Sequence, residues 1–222
     1  HAHAQRLALM LQNQTEEEFA DSRFQVLSEL TRLRQLCCDP ALVYENYEGG
    51  SAKLDLCIEL IQSAVESGHK ILLFSQFTSM IEILTARLQE ESISYFVLQG
   101  STKKEQRAQM VEQFNRDDTF VFCISLKAGG TGLNLTGADI VIHYDPWWNV
   151  AVENQATDRA HRIGQKNVVT VYKLIAKGTI EEKIIKLQQR KKELAEEILS
   201  GDEIKTASFQ REELLELLEE RF

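Results

Sequence analysis

The chain has 222 residues, of which 43% are hydrophobic and 27% are charged, a composition typical of a soluble globular protein with a sizeable core. The formal net charge of −9 argues against a protein that coats nucleic acid over its whole surface, so any contact with DNA or RNA must be local. No apolar run reaches the roughly 20 residues of a membrane span, and the N-terminus lacks a signal-peptide pattern, which argues against a membrane partner.

The first residue and the cysteines indicate whether the chain is a fragment and in which compartment the protein lies. The sequence does not begin with Met, so we expect a fragment. Its four cysteines form neither CxxC pairs nor a disulfide-rich pattern, which is typical of a reducing interior. We therefore expect an intracellular protein, cytoplasmic or nucleoid-associated in a bacterium and nuclear in a eukaryote. Cys37 and Cys38 are interpreted as small buried hydrophobic residues.

The N-terminal segment, residues 1–43, is predicted to be helical. From residue 5 to about residue 36 its apolar side chains roughly follow the 3.6-residue period of one helix, and Pro40 prevents the helix from continuing. The polar, glycine-containing stretch YENYEGGSA predicts a loop and an internal boundary at about 44–53. The periodic apolar positions are Phe19, Val26, Leu27, Leu30, Leu33 and Leu36.

Short apolar runs and helical segments alternate through residues 54–176. The runs are mostly apolar on both faces, which is typical of strands in a parallel sheet covered by helices. We predict a doubly wound α/β domain with a mainly parallel sheet of at least five strands and helices on both faces. The predicted strands are 70–75, 94–99, 119–125, 139–145 and 168–176, and the predicted helices are 54–67, 78–91, 102–115 and 149–162.

Ligands bind such sheets at the carboxyl ends of the strands, so function is expected in the loops that follow them. The loop after the third strand contains AGGTGLN, whose glycines permit close approach of a phosphate to backbone N–H groups. An ordinary βα loop is the alternative for an isolated glycine cluster. The sequence has no GxxxxGK[ST] motif and no strand that ends in Asp-Glu, so we do not expect this chain to bind a nucleoside triphosphate alone.

The segment QATDRAHRIGQ (155–165) concentrates two cations. As a helix that ends in a turn, it would place Gln155, Arg159 and Arg162 on one stripe at spacings of four and three. Like charges at that spacing repel, which indicates an anion opposite the stripe. For an isolated pair of arginines, the alternative is solvated side chains paired with Asp158 or Glu153.

The C-terminal region, residues 177–222, is predicted to contain two helical stretches. The first, 178–199, is amphipathic, and its pattern alone indicates packing against a core or a partner. The second, 205–222, is rich in Glu and Leu and receives no role. The apolar face of the first carries Ile180, Ile184, Leu187, Leu194 and Ile198. The five histidines lack metal-ligand spacing, so no metal site is predicted.

Six stretches of the chain together resemble the second RecA-like lobe of the Swi/Snf-type ATPases, double-stranded-DNA translocases of helicase superfamily two. They occur in the family's order over roughly residues 28–198. A single stretch would be weak support, whereas six in order are highly specific. They are LTRLRQLCCDPAL (30–42), SAKLDLCIELI (51–61), KILLFSQFTSMIEIL (70–84), LQGSTKKEQRAQMVEQFN (98–115), SLKAGGTGLNLTGADIVIHYDPWWN (125–149) and QATDRAHRIGQ (155–165).

The resemblance implies an ATP site shared between two lobes. ATP and Mg²⁺ would be held mainly by an N-terminal lobe that this sequence lacks, with neither bound tightly to this chain alone. Arg159 and Arg162 would act as arginine fingers that stabilise charge in the phosphoryl-transfer transition state. Gln155 would orient its neighbours or sense the nucleotide. Gly130 and Gly132 would lie near the nucleotide.

The resemblance also implies sequence-independent contacts with the backbone of double-stranded DNA. Ser101 and Thr102 are predicted at a helix start, a ready phosphate site, with charge added by Lys103; N-capping by Thr102 is compatible with that role. Trp148 matches a tryptophan that the family directs toward DNA, and a partly buried aromatic is the alternative. The complete set of expected DNA contacts is Ser75, Ser101, Thr102, Lys103, Lys127, Thr131 and Trp148.

The loop that carries Trp148 departs from the family's common pattern. Trp147 replaces a small or acidic residue, and Val150 stands where proline is frequent.

The resemblance further implies that the helix of 178–199 would brace the two lobes. Expected partners are double-stranded DNA, the N-terminal lobe and a DNA-bound protein such as RNA polymerase or a nucleoid or chromatin protein. The rival functions are a nucleotide-binding enzyme with a complete site of its own and a non-catalytic α/β interaction module.

Overall fold

The computed structural model describes residues 2–125, 128, 133–160, 167–197, 215 and 218, without the side chains of 2, 3, 16 and 191–197. These residues form seven helices and five strands. The helices are α1 Ala2–Gln12, α2 Glu16–Cys38, α3 Ala52–Glu66, α4 Thr78–Glu90, α5 Lys104–Arg116, α6 Val150–Thr157 and α7 Ile180–Glu197; the strands are β1 Ile71–Ser75, β2 Tyr95–Leu98, β3 Val121–Ser125, β4 Ile140–His143 and β5 Thr170–Lys173.

The chain divides into two compact units. One is Glu48–Ile175, and the other combines His1–Tyr47 with Ala176–Phe222. The sequence analysis treated the two terminal segments separately and did not predict that they share a unit. Within the described part of the chain, no helix is both long enough and apolar enough to span a bilayer.

The unit Glu48–Ile175 contains a five-stranded sheet in the order β2-β3-β1-β4-β5. Every pairing is parallel, and the helices α3 to α6 connect or flank the strands. This confirms the predicted doubly wound α/β fold. The register places Ser75 beside Ser125 at the ends of β1 and β3, which brings the loops after these strands to the same edge of the sheet.

The central strands β1, β3 and β4 are buried at every position, because helices cover both faces of this part of the sheet. Helix α3 shows how the sequence supports this layer: Ser51 Oγ accepts the Leu54 N–H at its start, and Leu54, Ile58 and Ile61 are buried on one stripe.

The prediction of burial on both faces is wrong for β5, whose four residues are all exposed. This strand lies at the edge of the described sheet and pairs only with β4. Val171 and Tyr172 therefore keep 39% and 38% of their surface exposed, although they have the apolar composition of an interior strand.

The N-terminal segment forms two helices, so the prediction of one helix from residue 5 to about 36 is wrong. Thr15 breaks the segment with a capping box: its side-chain oxygen accepts the Glu18 N–H at 3.3 Å, and its own N–H donates to Glu18 Oε2 at 2.8 Å. Such reciprocal bonds stabilise the start of a new helix. Pro40 begins a 3₁₀ turn, Pro40–Leu42.

The predicted apolar stripe on α2 is only partly buried. Phe19, Val26, Leu30 and Leu33 are buried, whereas Leu27 is 39% exposed and Leu36 is half-buried. Cys38 is buried as predicted, but Cys37 is only partly covered, so its interpretation as a buried hydrophobe is wrong.

Helix α7 corresponds to the first predicted C-terminal stretch and contacts α2 within the same unit. Ile180 and Ile184 are buried and Leu187 is half-buried, whereas the side chain of Leu194 and all of Ile198 lie outside the described residues. From the second stretch, only Leu215 and Leu218 are described; both are helical, and Leu218 is buried.

Candidate functional site

Asp145 organises the carboxyl edge of the sheet between β1 and β4. Its carboxylate accepts the Ser75 hydroxyl at 2.6 Å and the backbone N–H of Gln76 at 3.3 Å, and it also accepts the side-chain amide of Gln76. Asp145 is 2% exposed and Ser75 is fully buried. Because Ser75 and Gln76 lie at the end of β1 and Asp145 follows β4, these bonds fix the two loops relative to each other.

Ser75 is thus committed to an internal bond in this structure. Its hydroxyl donates to Asp145, and the hydroxyl oxygen accepts the Phe77 N–H at 3.2 Å. The contact with a DNA phosphate expected for Ser75 stays a prediction, and the structure assigns the side chain a second task in holding the loop after β4. The pairing was missed from the sequence because the two residues are 70 positions apart.

The buried polar atoms at this end of the sheet that have no hydrogen-bond partner among the described residues include Ser125 Oγ and Trp147 Nε1. Ser125 is 2% exposed and lies beside Ser75 in the sheet register. Trp147 packs against the hydrophobic cluster of the core. Trp148, the expected DNA contact, is half-buried. The sequence analysis gave Trp147 no role beyond a departure from the family pattern.

The loop between β2 and α5 places Ser101 and Lys103 on the surface. Lys103 is the N-cap of α5 and makes no side-chain capping bond, so the predicted N-cap role of Thr102 is wrong. Thr102 instead closes a turn: its Oγ1 accepts the Gln99 N–H, and its N–H donates to the Gln99 carbonyl, both at 3.1 Å. Thr102 is half-buried.

Arg107, on α5, is a functional candidate that the sequence analysis missed. Its guanidinium donates to four carbonyl oxygens on two loops. The only sequence signal was its place within the stretch LQGSTKKEQRAQMVEQFN, since an arginine on an exposed polar helix is more often solvated.

The helix that contains the first residues of QATDRAHRIGQ ends earlier than predicted. Helix α6 stops at Thr157, Asp158 is its C-cap, and residues 158–160 form a turn. Arg159 therefore does not share a helical stripe with Gln155, and that prediction is wrong. The turn is held from outside the helix, because the Arg159 carbonyl accepts the Leu135 N–H at 3.1 Å.

The two described members of the predicted ATP-facing set differ in exposure. Gln155 is exposed, whereas Arg159 is 2% exposed and is the largest side chain buried so completely. Arg159 therefore lies inside this unit, next to the core residue Ala160. The assignment of Arg159 as an arginine finger stays a prediction.

Residues 52–164 match the family model described as the helicase conserved C-terminal domain. The C-terminal domain of a Sulfolobus solfataricus SWI2/SNF2 ATPase is 32% identical, with 98% of this chain and 90% of that chain covered and a TM-score of 0.75. This chain belongs to the Snf2-type ATPases of helicase superfamily two and is their C-terminal lobe. It is also similar to the SWI2/SNF2 ATPase core of that organism in complex with double-stranded DNA, with 32% identity, 98% and 46% coverage and a TM-score of 0.77.

Two sequence relatives of this Snf2-type lobe are much longer proteins. An uncharacterized ATP-dependent helicase of Mycoplasma pneumoniae is 45% identical over 202 residues, which are 89% of this chain and 19% of the relative. The chromatin-remodeling ATPase INO80 of Homo sapiens is 44% identical over 169 residues, which are 76% of this chain and 11% of that protein. The chain spans between about a tenth and a fifth of these relatives.

Within the Snf2-type lobe, α6 is anchored to the sheet by two side-chain pairs. Glu153, 1% exposed, forms an ion pair with Lys173 of β5 and accepts the Trp147 N–H at 3.3 Å. One turn further, Thr157 bonds His143 of β4 at 2.9 Å. The alternative interpretation of the sequence paired the arginines with Asp158 or Glu153, but in the structure Glu153 forms its ion pair with Lys173.

The environment of His143 favours its neutral form. Thr157 Oγ1 donates to the Glu153 carbonyl, so it accepts from Nε2 of His143, which leaves Nδ1 without a proton and, among the described residues, without a partner. The pKa of His143 is lowered from 6.5 to about 4, chiefly by burial; Glu153 partly opposes this shift and Lys173 adds to it. The ring stacks on Phe74, with centroids 5.5 Å apart.

Five of the predicted site residues lie outside the described residues of the Snf2-type lobe: Lys127, Gly130, Thr131, Gly132 and Arg162. The structure therefore describes Ser75, the turn with Ser101 and Thr102, and the start of α5 each within its own loop. It does not show how they lie relative to these five residues. In the described ranges, no group of three His, Cys, Asp or Glu side chains is placed to hold a metal ion.

Proposed function

We propose that this chain is the C-terminal lobe of an ATP-dependent double-stranded-DNA translocase and supplies arginine side chains and DNA backbone contacts to an ATP site shared with an N-terminal lobe. The observation that carries the proposal is the carboxyl edge of the sheet. There, the loops that the family resemblance assigns to ATP and DNA are held by internal hydrogen bonds that Asp145 accepts and Arg107 donates.

On the nucleotide side, this lobe would contribute Gln155, Arg159 and Arg162, with Gly130 and Gly132 close to the nucleotide. Arginine suits a triphosphate because its guanidinium is always charged and donates several bonds in one plane. Between the two arginines, the burial of Arg159 favours Arg162 as the finger that reaches across to the γ-phosphate, and Arg159 would then act from within the lobe.

The described groups at the carboxyl edge are poorly suited to hold Mg²⁺. Asp145, the buried carboxylate at this edge, already accepts bonds from Ser75 and Gln76, and Ser125 adds a hydroxyl rather than a charge. Mg²⁺ requires oxygen ligands in near-octahedral geometry, commonly carboxylates together with substrate phosphates. We therefore assign Mg²⁺ and the phosphate loop to the N-terminal lobe.

On the DNA side, the exposed Ser101 and Lys103 would contact the phosphate backbone, together with Thr102, Lys127, Thr131 and Trp148. Phosphate contacts carry no sequence information, so binding would be independent of sequence and would weaken with salt. Support comes from the similar SWI2/SNF2 core in complex with double-stranded DNA. A DNA-bound protein is the expected target of the motor.

The test is steady-state ATP hydrolysis by the two-lobe protein with and without double-stranded DNA. We expect DNA to stimulate hydrolysis and Arg162→Ala to reduce the stimulated rate by about 10³-fold or more, with a much smaller change in ATP affinity. The finger acts mainly when charge develops on the γ-phosphate, whereas the N-terminal lobe supplies most ground-state binding. Arg162→Lys should restore little, because an ammonium lacks the guanidinium fork.

The matched control is Arg116→Ala, which removes an exposed arginine whose partner is Glu112 on the same helix. The rival function, a non-catalytic α/β interaction module, needs no arginine finger. Wild-type turnover in folded Arg159→Ala and Arg162→Ala variants would therefore support the module and refute the shared ATP site.

A further inference from the structure

A short turn at residues 99–102 carries the predicted DNA contacts Ser101 and Thr102. The turn is closed by the two hydrogen bonds between Gln99 and Thr102. These bonds close the turn on itself but do not attach it to the rest of the lobe. Ser101 and the adjacent Lys103 are exposed, so their positions depend on whatever holds the turn.

Arg107 makes that attachment. Its Nε donates to the Thr102 carbonyl at 2.8 Å, and its Nη2 donates to the carbonyls of Gln99 at 3.2 Å and Gly100 at 3.1 Å. Its Nη1 donates to the carbonyl of Ala128 at 3.1 Å. Ala128 is 2% exposed and follows β3, in the segment that the sequence analysis assigned to both ATP and DNA.

We infer that Arg107 is a positioning residue that holds the DNA-contacting turn against the segment after β3, an inference that rests on the proposed function. The carbonyls on both sides accept from one rigid planar group, so the distance between turn and segment is set by the width of the guanidinium. Any displacement of Ala128 would thus be transmitted through Arg107 to Ser101 and Lys103.

The chemistry of the contacts argues against two other tasks for Arg107. A direct phosphate ligand would keep N–H groups directed outward, yet all three guanidinium nitrogens of Arg107 already donate to carbonyls. A salt bridge would need a carboxylate, and no ion pair of Arg107 is present in the part of the chain that the structure describes. Four carbonyl acceptors around one fork are the pattern of a clamp on the backbone.

The experiment uses the full two-lobe protein and measures the DNA concentration for half-maximal stimulation of ATP hydrolysis, with DNA affinity measured separately by fluorescence anisotropy. Arg107→Gln should raise the half-stimulating DNA concentration by about tenfold or more, since several hydrogen bonds to the turn are lost. Arg107→Lys should also be impaired, because a single ammonium cannot bond both sides of the clamp. Arg116→Gln, on the exposed face of the same helix, should match the wild type.

A double-mutant cycle with Lys103→Ala distinguishes a positioning role from a general loss of stability. If Arg107 acts through the turn, Lys103→Ala should raise the half-stimulating DNA concentration in the wild type and much less in the Arg107→Gln background. Additive effects of the two changes would overturn the inference, as would full rescue by Arg107→Lys, which would indicate that charge alone matters. Melting curves identify variants that do not fold; Arg107→Lys, which keeps the charge and most of the volume, is then the variant that decides.

Failure of the inference and failure of the proposed function give different results. If the wild-type two-lobe protein shows no DNA-stimulated hydrolysis, the proposed function fails and the inference fails with it. If the wild type is stimulated by DNA and folded Arg107→Gln and Arg107→Lys variants have the same half-stimulating DNA concentration as the wild type, only the role of Arg107 is wrong.

Discussion

At the residue scale, His143 combines burial, a ring stack and one hydrogen bond in a way that makes the lobe sensitive to pH. The neutral ring fits because its Nε2 proton bonds Thr157, whereas a second proton, on Nδ1, would have no acceptor among the described residues. Protonation is therefore coupled to unfolding, since an unfolded histidine titrates near its ordinary pKa.

The direction in which stability changes with pH follows from the pKa of His143, which is lowered from 6.5 to about 4, chiefly by burial. Between these values the unfolded chain binds a proton that the folded chain does not, so the contribution of His143 to the free energy of unfolding is present above pH 6.5 and falls as the pH decreases. We expect this contribution to be smaller at pH 5 than at pH 7 by about 2 kcal/mol.

Urea unfolding at several pH values checks the His143 prediction. His143→Gln, which retains an amide donor toward Thr157 but does not titrate, should flatten the slope in this range. Thr157→Val serves as the control, because it removes the hydrogen bond but leaves the titrating ring, so a slope should remain. An equal slope in the wild type and in His143→Gln would refute the prediction.

At the element scale, α6 depends on the sheet for its position more than on its own sequence. It has eight residues, fewer than an isolated helix needs to be stable in water. Asn149 caps its start by accepting the Ala151 N–H at 2.9 Å, and the side chains of Glu153 and Thr157 attach one face to β5 and β4. The opposite, exposed face carries Gln155 toward its predicted site.

Lys173→Met should destabilise the lobe because it leaves the buried carboxylate of Glu153 without its cation. The loss for a fully buried pair is about 3 to 5 kcal/mol; Lys173 is 43% exposed, so solvent reduces the expected loss to about 2 kcal/mol. Thermal unfolding measures it. The double variant Glu153→Gln with Lys173→Met should recover much of the loss.

The matched comparison is Glu112→Gln, which breaks the exposed pair with Arg116 and should change the unfolding free energy by less than about 1 kcal/mol. If Lys173→Met proves no more harmful than Glu112→Gln, the ion pair with Glu153 does not hold α6. Lys173→Met should also lower DNA-stimulated hydrolysis in the two-lobe protein, because Gln155 moves with the helix.

At the scale of the whole molecule, the described residues form a five-stranded parallel sheet, but the sequence lacks the GxxxxGK[ST] motif that binds triphosphates. We expect the isolated chain to fold and to hydrolyse no ATP above background, and to bind DNA weakly with a steep dependence on salt, since its net charge of −9 opposes binding. Sustained turnover by highly purified chain, with a cooperative melting transition to show folding, would refute the shared-site proposal.

Local patterns in the sequence predict the fold class and the order of strands and helices within Glu48–Ile175. The buried strands are short apolar runs such as ILLFS and VFCIS, and this property is local, so the period and composition of each run predict it directly. The family could also be inferred from the sequence, because six motifs occur in the family's order. Most of them include the loops that follow the strands. The four exposed residues of β5 show the limit, since apolar composition cannot distinguish a central strand from an edge strand.

Which side chains contact each other could not be predicted from local patterns. Ser75 and Asp145 are 70 positions apart, and Arg107 reaches the carbonyl of Ala128, 21 positions away; neither pair has a periodic signal. The same reason explains Arg159, for which the helical period predicted a shared stripe with Gln155, whereas the bond between the Arg159 carbonyl and the Leu135 N–H holds a turn in which the side chain is buried. Contacts between distant segments outweigh local helical preference, so the sequence predicts candidate residues, whereas the packing of the sheet sets the position of each described one.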